Sequence, residues 1–492
     1  MKKTQLFFMN ALIMTATSLL LSTVGVWFNL YISERLGPVG MGVFQLMMSV
    51  YSMLVTFACS GINLATTRMV AEEAVLPNGD ISGAIRRCLG YCLFFGGLAS
   101  CVLWFGAPTI GTRFLRSTAT IRPLRIMAMS MPCIAMSSAL NGYFTAVRRV
   151  VKSVSCQILE QFLRITLTIF ILTAIAPAGL EYACMSITAA GVVAEITSCL
   201  FELILCLFDR RRYPSGHTAG LSKKLLGIAL PVAFSTYLRT GLSTIKHLLV
   251  PIRLQASGLS APASLAMFGA LHGVALPVIL FPYAFLNAFN ALIVPELAQS
   301  HCAKQDVSQT IDRMFALTLG CSLGVCGILF SFHREIGALV STNPDVGIYI
   351  RLLAPVIPIM YLDTAVDSML KGLDEQLSVM RYNVLDAAVS LASVWLLLPV
   401  LGIKGYIFVV CGSELFNFSL SLGRLIRVTG FRLDITARVI HPLLCSALAM
   451  TVVELLFRKI PAVPGRFATC CMIASAACIY LFLLRVSKYA RA

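Results

Sequence analysis

The chain has 492 residues, of which 58% are hydrophobic and 12% are charged. Soluble globular proteins carry about 25% charged residues, so this composition, with a mean hydropathy of +0.85, leaves too few charges to cover a water-exposed surface. It excludes a soluble enzyme, a disordered scaffold, a collagen-like fibre and a secreted disulfide scaffold, and it indicates a polytopic membrane protein. The net charge of +17 fits basic cytoplasmic loops better than a nucleic-acid surface.

Long apolar segments follow one another along the chain with little sequence between them. A membrane-spanning helix needs ~20 apolar residues, so about 14 spans fit, with little chain left for a domain outside the membrane. If the N-terminus is cytoplasmic, the loops on that side carry about twice as many Lys and Arg residues as the opposite loops. We therefore predict an all-α, multi-pass protein with both termini in the cytoplasm. The spans are predicted near residues 6–32, 40–71, 84–108, 122–147, 154–176, 181–208, 225–250, 264–294, 309–332, 347–371, 378–398, 403–426, 436–457 and 465–486.

The sequence contains an internal repeat on either side of its longest polar run, at residues 209–217. Residues 69–72 align with residues 293–296 at an offset of 224, and Arg125 aligns with Arg351 at an offset of 226. Such a repeat predicts two six-helix lobes related by a pseudo-twofold axis along the membrane normal, as in transporters whose two bundles rock about a central site. The predicted parts are an N-lobe at 1–208, a cytoplasmic linker at 209–224, a C-lobe at 225–433, and two further helices with a cytoplasmic tail at 434–492.

Three basic residues recur in and just after the seventh predicted span. Arg239, Lys246 and Arg253 are spaced by seven, so they share one helix face over roughly 21 Å. An ionisable side chain inside a span costs ~2.5–3.5 kcal/mol unless it meets a wet cavity or a partner. Because Arg and Lys bind phosphate oxygens, we predict that this face binds a phosphate-bearing substrate. The alternative is that Arg239 and Arg253 reach opposite membrane surfaces while Lys246 pairs with an acid.

Arg35, Arg68 and Asn29 are further candidates for substrate binding. Arg68 lies four residues before Glu72, so a local ion pair is the alternative for it. Asn29 belongs to a stripe of small polar residues below Arg35, which could instead be a helix-packing face.

Four acidic residues are candidates for gating or coupling. Glu72 and Glu296 recur in the two halves at predicted helix ends, which favours a structural or gating role. Asp363 and Asp367 lie one helical turn apart, and two like charges this close favour protonation of one of them. Such a pair could carry a coupling proton. The alternative is that both side chains line water. Phosphate-loop and zinc-protease motifs are absent from the sequence, so we predict no catalytic residue, metal or cofactor.

Several segments carry a family resemblance. Residues 238–244, 247–251, 271–273 and 292–298, together with residues 34–37, resemble the stage V sporulation protein B group. This group lies in the polysaccharide-transporter branch of the multidrug/oligosaccharidyl-lipid/polysaccharide (MOP) exporter superfamily. The resemblance covers essentially the whole chain, and the family's pattern leads us to expect an acidic residue where Lys246 stands.

The resemblance implies 12 core helices plus two, a bacterial plasma-membrane location, and flipping of an undecaprenyl-pyrophosphate-linked sugar or a lipid II-type precursor. It also implies that basic residues facing the central cavity bind the diphosphate, which fits Arg35, Arg68 and Arg239. We expect a monomer whose partners are the lipid-linked saccharide and membrane lipids, without nucleic acid. Coupling to H⁺, Na⁺ or the membrane potential stays open.

Two other functions are compatible with parts of the sequence. An ion-coupled exporter of cationic drugs on the same fold would need an acidic cavity instead of a basic one. A membrane-embedded glycosyltransferase or polymerase would need acidic residues in a sizeable outer loop, and the first predicted outer loop is only a few residues long with Glu34 as its acid.

Overall fold

The computed structural model is helical and contains no strand within the residues that it describes. In the described part of the chain, eleven helices are long and apolar enough to cross a membrane, and a pair bent by 44°, Thr118–Ala128 and Met131–Ala146, gives one more if it counts as a single span. This confirms the all-α polytopic class predicted from composition. The described residues are 2–76, 79–175, 179–210, 220–287, 290, 297–298, 300, 307–431, 433–458 and 466–489.

Contacts along the backbone divide the chain into two compact units. Unit 1 contains residues 1–21 and 43–249, and unit 2 contains residues 22–42 and 250–492. This grouping differs from the predicted lobes in two ranges. Residues 22–42, predicted in the N-lobe, belong to unit 2, and residues 225–249, predicted in the C-lobe, belong to unit 1. The predicted lobes, the linker and the pseudo-twofold axis themselves stay predictions.

Unit 1 consists of helices that pack through polar contacts as well as apolar ones. Gly142 shows how close they come, because a Cβ atom there would lie 2.6 Å from the carbonyl oxygen of Asn63. Small residues at such contacts let membrane helices approach closely. Its helices are most of α1 (Lys2–Cys59), α2 (Ile62–Glu73), α3 (Ile81–Thr109), α4 (Ile121–Ala128), α5 (Met131–Ala146), α6 (Val150–Ile175), α7 (Leu180–Arg210) and most of α8 (Leu221–Ala256).

Unit 2 has a buried apolar core in which the rings of Phe315 and Phe431 stack with their centroids 5.2 Å apart. In both units other large apolar side chains, such as Phe105 and Phe408, are exposed, as expected where the surrounding solvent is lipid. The helices of unit 2 are α9 (Ala261–Phe268), α10 (Leu276–Leu280), α11 (Ser308–Ser331), α12 (His333–Val340), α13 (Asp345–Leu353), α14 (Ile357–Gly372), α15 (Gln376–Thr429), α16 (His441–Arg458) and α17 (Arg466–Tyr489).

Two helices are interrupted at a glycine. Gly37 in α1 has φ +69° and Gly402 in α15 has φ +56°, backbone conformations that residues with a Cβ rarely adopt. At 1.5 Å per residue, the 54 residues of α15 would extend about 80 Å as one straight helix, against ~30 Å for the apolar core of a bilayer. Each helix is therefore long enough for more than one crossing, and the total of about 14 spans stays a prediction.

The internal repeat is confirmed by the helix bounds. The 16-residue helices α5 and α14 begin 226 residues apart and end 226 residues apart, and each has a proline at its second position. A side-chain contact recurs at the same offset. The Arg125 guanidinium lies 5.9 Å from the ring centroid of Trp104, and the Arg351 guanidinium lies 5.3 Å from that of Phe330. At these positions the two halves of the sequence therefore build the same local structure twice, whereas the aligned residues 293–296 lie outside the described residues.

Candidate functional site

Unit 1 lines an open cavity of about 680 Å³ with mixed polar and apolar walls. Its polar side chains come from α1, α2, α5, α6 and α7, and the helical spacing explains why those on α5 and α6 face the same space. Ser137, Asn141 and Thr145 recur every fourth residue on α5, and Ser153 and Gln157 do the same on α6. The lining residues are Thr17, Ser18, Val55, Cys59, Asn63, Ile134, Ser137, Ser138, Asn141, Thr145, Val150, Ser153, Val154, Gln157, Glu160 and Glu195.

Two carboxylates of the cavity share one guanidinium. Arg164 Nη2 donates to Glu160 Oε1 at 2.7 Å and to Glu195 Oε1 at 2.9 Å. The Tyr51 hydroxyl donates to Glu195 Oε2 at 3.1 Å and lies 2.9 Å from the Ser130 hydroxyl. Glu160 and Arg164 are four residues apart, a spacing that favours an ion pair on one helix. Sequence reasoning did not single out Glu195, which lies on another helix. With both carboxylates ionised, this network carries one excess negative charge.

Amide and hydroxyl groups form the rest of the polar lining. Ser153 donates to Asn141 Oδ1, and Gln157 Nε2 lies 3.5 Å from the same oxygen. Asn63 Nδ2 donates to the carbonyl oxygen of Ser138 at 3.2 Å. Sequence reasoning missed this lining too, although the four-residue spacing of polar side chains on α5 and α6 carried the signal. The cavity can therefore both donate hydrogen bonds to a ligand and accept them.

The N-terminal part of α8 packs on α1 through hydrogen bonds. The Tyr237 hydroxyl donates to the Phe57 carbonyl oxygen at 2.9 Å, and Thr244 Oγ1 donates to the Ser49 carbonyl oxygen at 3.3 Å. The Ser49 hydroxyl also lies 3.1 Å from His247 Nδ1. These contacts explain why residues 221–249 group with unit 1 rather than with the following helices.

The basic residues of α8 lie on a different side of that helix. At 100° per residue, Arg239 and Lys246 are about 140–180° around the helix from Tyr237 and Thr244, and about 120–140° from the exposed Phe234. Arg239 is exposed and has no hydrogen bond or ion pair to any residue that the structure describes, and Lys246 is half-buried. The basic face is thus separate from both the packing face and the most exposed apolar face.

Two of the predicted substrate-binding residues make contacts within unit 2. Arg253 donates through Nη2 and Nε to the Trp395 carbonyl oxygen at 2.8 and 3.2 Å, with its guanidinium 3.9 Å from the Trp395 ring centroid. Asn29 Nδ2 donates to the Gly273 carbonyl oxygen at 2.6 Å. These contacts supply a structural role for both side chains, and their predicted role in substrate binding stays a prediction.

Arg35 and Arg68 are both exposed. The Arg35 guanidinium lies 5.4 Å from the Tyr31 ring centroid. Arg68 Nε lies 2.9 Å from Glu72 Oε1, which is the local ion pair that the spacing suggested, and Glu72 also pairs with Lys224 in the first turn of α8. Glu72 therefore ties α8 to α2, and Lys224 is a partner that the sequence did not reveal. Convergence of Arg35, Arg68 and Arg239 on one substrate stays a prediction.

Asp363 and Asp367 lie in a buried polar cluster of unit 2. Both are 8% exposed. Asn417 Nδ2 donates to Asp363 Oδ2 at 2.9 Å, while Asn383 Nδ2 and the Ser421 hydroxyl each donate to Asp367 at 3.0 Å. Asp363 Oδ1 is buried with no hydrogen-bond partner among the described residues. Such a cluster, rich in oxygen acceptors, can hold a proton or a small cation. The fourth acidic candidate, Glu296, lies outside the described residues.

The fold is that of the MOP-superfamily transporters. It is similar to a structure of the lipid II flippase MurJ in an inward closed conformation, with a TM-score of 0.72 and 10% identity, covering 97% of this chain and 98% of the other. It is also similar to an inward-facing multidrug resistance MATE family transporter of the MOP superfamily, with a TM-score of 0.65 and 14% identity, covering 85% and 98% of the two chains.

The chain belongs to the polysaccharide biosynthesis protein family, whose model matches residues 7–257, and a MatE model matches residues 231–396. Stage V sporulation protein B of Bacillus subtilis (strain 168) is 24% identical over 416 residues, which are 82% of this chain and 80% of that protein. Sporulation protein YkvU of the same organism is 21% identical over 337 residues, 66% and 74% of the two chains. The chain is thus a multi-span membrane protein of a transporter superfamily, and its relatives are not enzymes.

Proposed function

We propose that this protein flips an undecaprenyl-pyrophosphate-linked oligosaccharide, or a lipid II-type precursor, across the bacterial plasma membrane. Such a step would supply cell-envelope polysaccharide or peptidoglycan synthesis, including the spore cortex. Two lobes alternate between inward-open and outward-open states, and the prenyl chain stays in the lipid while the head group crosses. Both chain termini are cytoplasmic, and the protein acts as a monomer.

The observation that carries this proposal is the basic face of α8. Arg239 is exposed within a membrane-spanning helix, away from the face that packs on α1 and without a partner among the described residues. An uncompensated cation at such a place is costly in lipid, so a wet passage or an anionic ligand is its expected surrounding. A diphosphate head group supplies such a ligand, since guanidinium groups bind phosphate oxygens in pairs.

The similarities support the same substrate class. The family is described as polysaccharide biosynthesis proteins, and the neighbour with a TM-score of 0.72 is a lipid II flippase. In the proposed mechanism the diphosphate meets Arg239, with Arg35, Arg68 and Lys246 as further contacts. Asn29 and Arg253 act at the edge of the site, since contacts within unit 2 already occupy some of their donors.

A driving force must distinguish the inward-facing from the outward-facing state. Asp363 and Asp367 are the coupling candidates, because protonation or cation binding at these buried carboxylates would change the hydrogen bonds that join α14 to α15. Glu72 and Glu296 are gating candidates. The coupling agent is H⁺, Na⁺ or the membrane potential. Transport measured with each gradient imposed separately identifies it, and Asp363→Asn should abolish the response to that gradient.

The test is head-group translocation in proteoliposomes. Wild-type protein should move a fluorescent prenyl-diphosphate saccharide between the leaflets, and Arg239→Ala should slow this at least tenfold, as expected for loss of a charge-assisted contact to phosphate. Arg334→Ala, an exposed arginine of α12, is the matched control and should transport like the wild type. Wild-type protein without translocation, or equal rates for both variants, would refute the proposal.

A second function is favoured by one observation. The unit 1 cavity contains Glu160 and Glu195, and an acidic cavity is what an exporter of cationic drugs would need. The MatE match to residues 231–396 points in the same direction. Efflux of a lipophilic cation that the wild type supports and Asp363→Asn abolishes, without saccharide translocation, would establish this alternative.

A further inference from the structure

We propose that the unit 1 cavity is a subsite for an uncharged saccharide, separate from the residues that bind the diphosphate. The inference rests on the proposed function, and it assigns the two chemical parts of the substrate head group to different places in the protein. The cavity takes the hydroxylated sugar rings, whereas the basic residues of α2 and α8 take the phosphates.

The size of the cavity suits this role. Small-molecule sites have volumes of ~300–1,000 Å³, and the cavity, at about 680 Å³, lies within that range. Its lining residues all belong to unit 1, so packing inside that unit fixes their positions. Rigid helices hold hydrogen-bonding groups more accurately than loops do, as recognition of a sugar requires.

The lining has the hydrogen-bonding character that sugars need. A sugar hydroxyl both donates and accepts, and so do the amides and hydroxyls of this cavity. Gln157 is exposed towards the cavity and makes a single 3.5 Å contact through Nε2, which leaves its carbonyl oxygen available. The side-chain amide of Asn141 makes its hydrogen bonds through Oδ1, and its Nδ2 has no hydrogen-bond partner among the described residues.

The charge of the cavity argues against the phosphates lying there. Glu160 and Glu195 share the single guanidinium of Arg164, so with both carboxylates ionised an anionic group would meet a net negative wall. Like charges brought into contact repel each other, which disfavours binding of a phosphate at this wall. Carboxylates instead accept hydrogen bonds from neutral hydroxyls.

A basic residue follows one of the lining residues on the same helix. Arg68 is five residues after Asn63, about 7.5 Å further along the axis of α2 and about 140° around it. A helix that lines the cavity therefore also carries a phosphate-binding candidate beyond it. Sugar and phosphate, which are covalently joined in the substrate, can in this way be recognised by separate residues of one unit.

The test compares two ligands on the purified full-length protein in nanodiscs. One ligand is a short-chain prenyl diphosphate that carries a disaccharide, and the other is the same prenyl diphosphate without sugar. The wild type should bind the glycosylated ligand more tightly. Gln157→Ala should weaken glycosylated binding roughly three- to tenfold, the effect of one lost hydrogen bond, and leave the bare diphosphate unchanged.

The control is Gln376→Ala, which removes an exposed glutamine at the start of α15 in unit 2 and should change neither affinity. If Gln157→Ala does not fold, Asn63→Ala gives the same comparison. Equal wild-type affinities for the two ligands would overturn the sugar subsite, and so would an equal loss of affinity for both ligands in Gln157→Ala. Either result would leave the flippase proposal intact. A wild type that binds neither ligand would instead contradict the proposed function.

Discussion

Arg164 on α6 donates a 2.9 Å hydrogen bond to Glu195 on α7, across a gap of 31 residues in sequence. The same guanidinium contacts Glu160 on its own helix, and Glu195 is also bound by Tyr51 of α1. Three helices of unit 1 are thus joined by one polar network at the cavity wall. The side chains of this network are partly accessible to solvent, which weakens the attraction between their charges. The hydrogen bonds of the network should therefore contribute more to stability than this attraction does.

Removing the guanidinium should destabilise unit 1. Arg164→Met leaves Glu160 and Glu195 facing each other without a cation, and we expect a loss of about 1–3 kcal/mol in the free energy of unfolding because the groups are only partly buried. Chemical denaturation in detergent measures it. Adding Glu195→Gln to the variant removes one of the two charges and should restore part of the loss. An equally unstable double variant would mean that packing, not charge, holds the arginine.

The Glu72 ion pairs should matter more for transport than for stability. Glu72→Gln breaks contacts to Arg68 and Lys224, side chains that are 64% and 38% exposed, so unfolding should change by less than about 1 kcal/mol. If Glu72 gates the movement of α8, the translocation rate should change at least severalfold while the melting temperature stays nearly constant. Glu335→Gln, at an exposed acid of unit 2, is the control. An unchanged rate would make the pair purely structural.

Arg253→Lys should separate a structural from a substrate-binding role. Lysine cannot reproduce both the stacking on Trp395 and the two donors to its carbonyl oxygen, so we expect a loss of about 1–2 kcal/mol in unfolding free energy. Denaturation followed by circular dichroism measures this. If the contact is structural, affinity for a bare prenyl diphosphate should remain as in the wild type, since the positive charge is retained. A large loss of affinity with normal stability would instead assign Arg253 to the substrate.

Glu375 should contribute stability that depends on pH. It lies between α14 and α15, where the Arg424 guanidinium donates to both carboxylate oxygens, at 2.6 and 3.0 Å, and holds the pKa of this carboxyl below its ordinary value of 4.5. Because folding favours the ionised form, the stabilisation is present above that value and is lost as the pH falls through the lowered pKa.

Glu375→Gln should therefore be less stable than the wild type at pH 7, and the difference should shrink in acid below the ordinary pKa. Thermal unfolding over a pH series measures it. A difference that stays constant from neutral to acidic pH would show that the contact does not depend on the carboxylate charge.

Composition and periodicity predicted the membrane class, and residues that align at a nearly constant offset predicted the repeat, because those features are local or recur along the chain. Pro132 and Pro358 mark the same helix start in both halves, and the structure keeps their offset. The pairs Arg68–Glu72 and Glu160–Arg164 were also predictable, since a spacing of four places residues on one helix face.

The other contacts depend on which helices become neighbours. Nothing near Lys224 in the sequence points to Glu72, and Glu195 lies 31 residues from Arg164. Arg253 looked like a free basic residue of a stripe because Trp395, its partner, is 142 residues away. Helix periodicity indicates the direction of a side chain but not what it meets there.

The chain has three tryptophans, and two of them lie beside arginines in different units. The guanidinium of Arg125 is 5.9 Å from the Trp104 ring centroid in unit 1, and that of Arg253 is 3.9 Å from the Trp395 ring centroid in unit 2. A nearby cation perturbs indole emission, so replacing the other two tryptophans by phenylalanine would leave an optical reporter for one unit at a time. Titrating ligand into such single-tryptophan proteins would then reveal, without any attached dye, which unit responds at the lower ligand concentration.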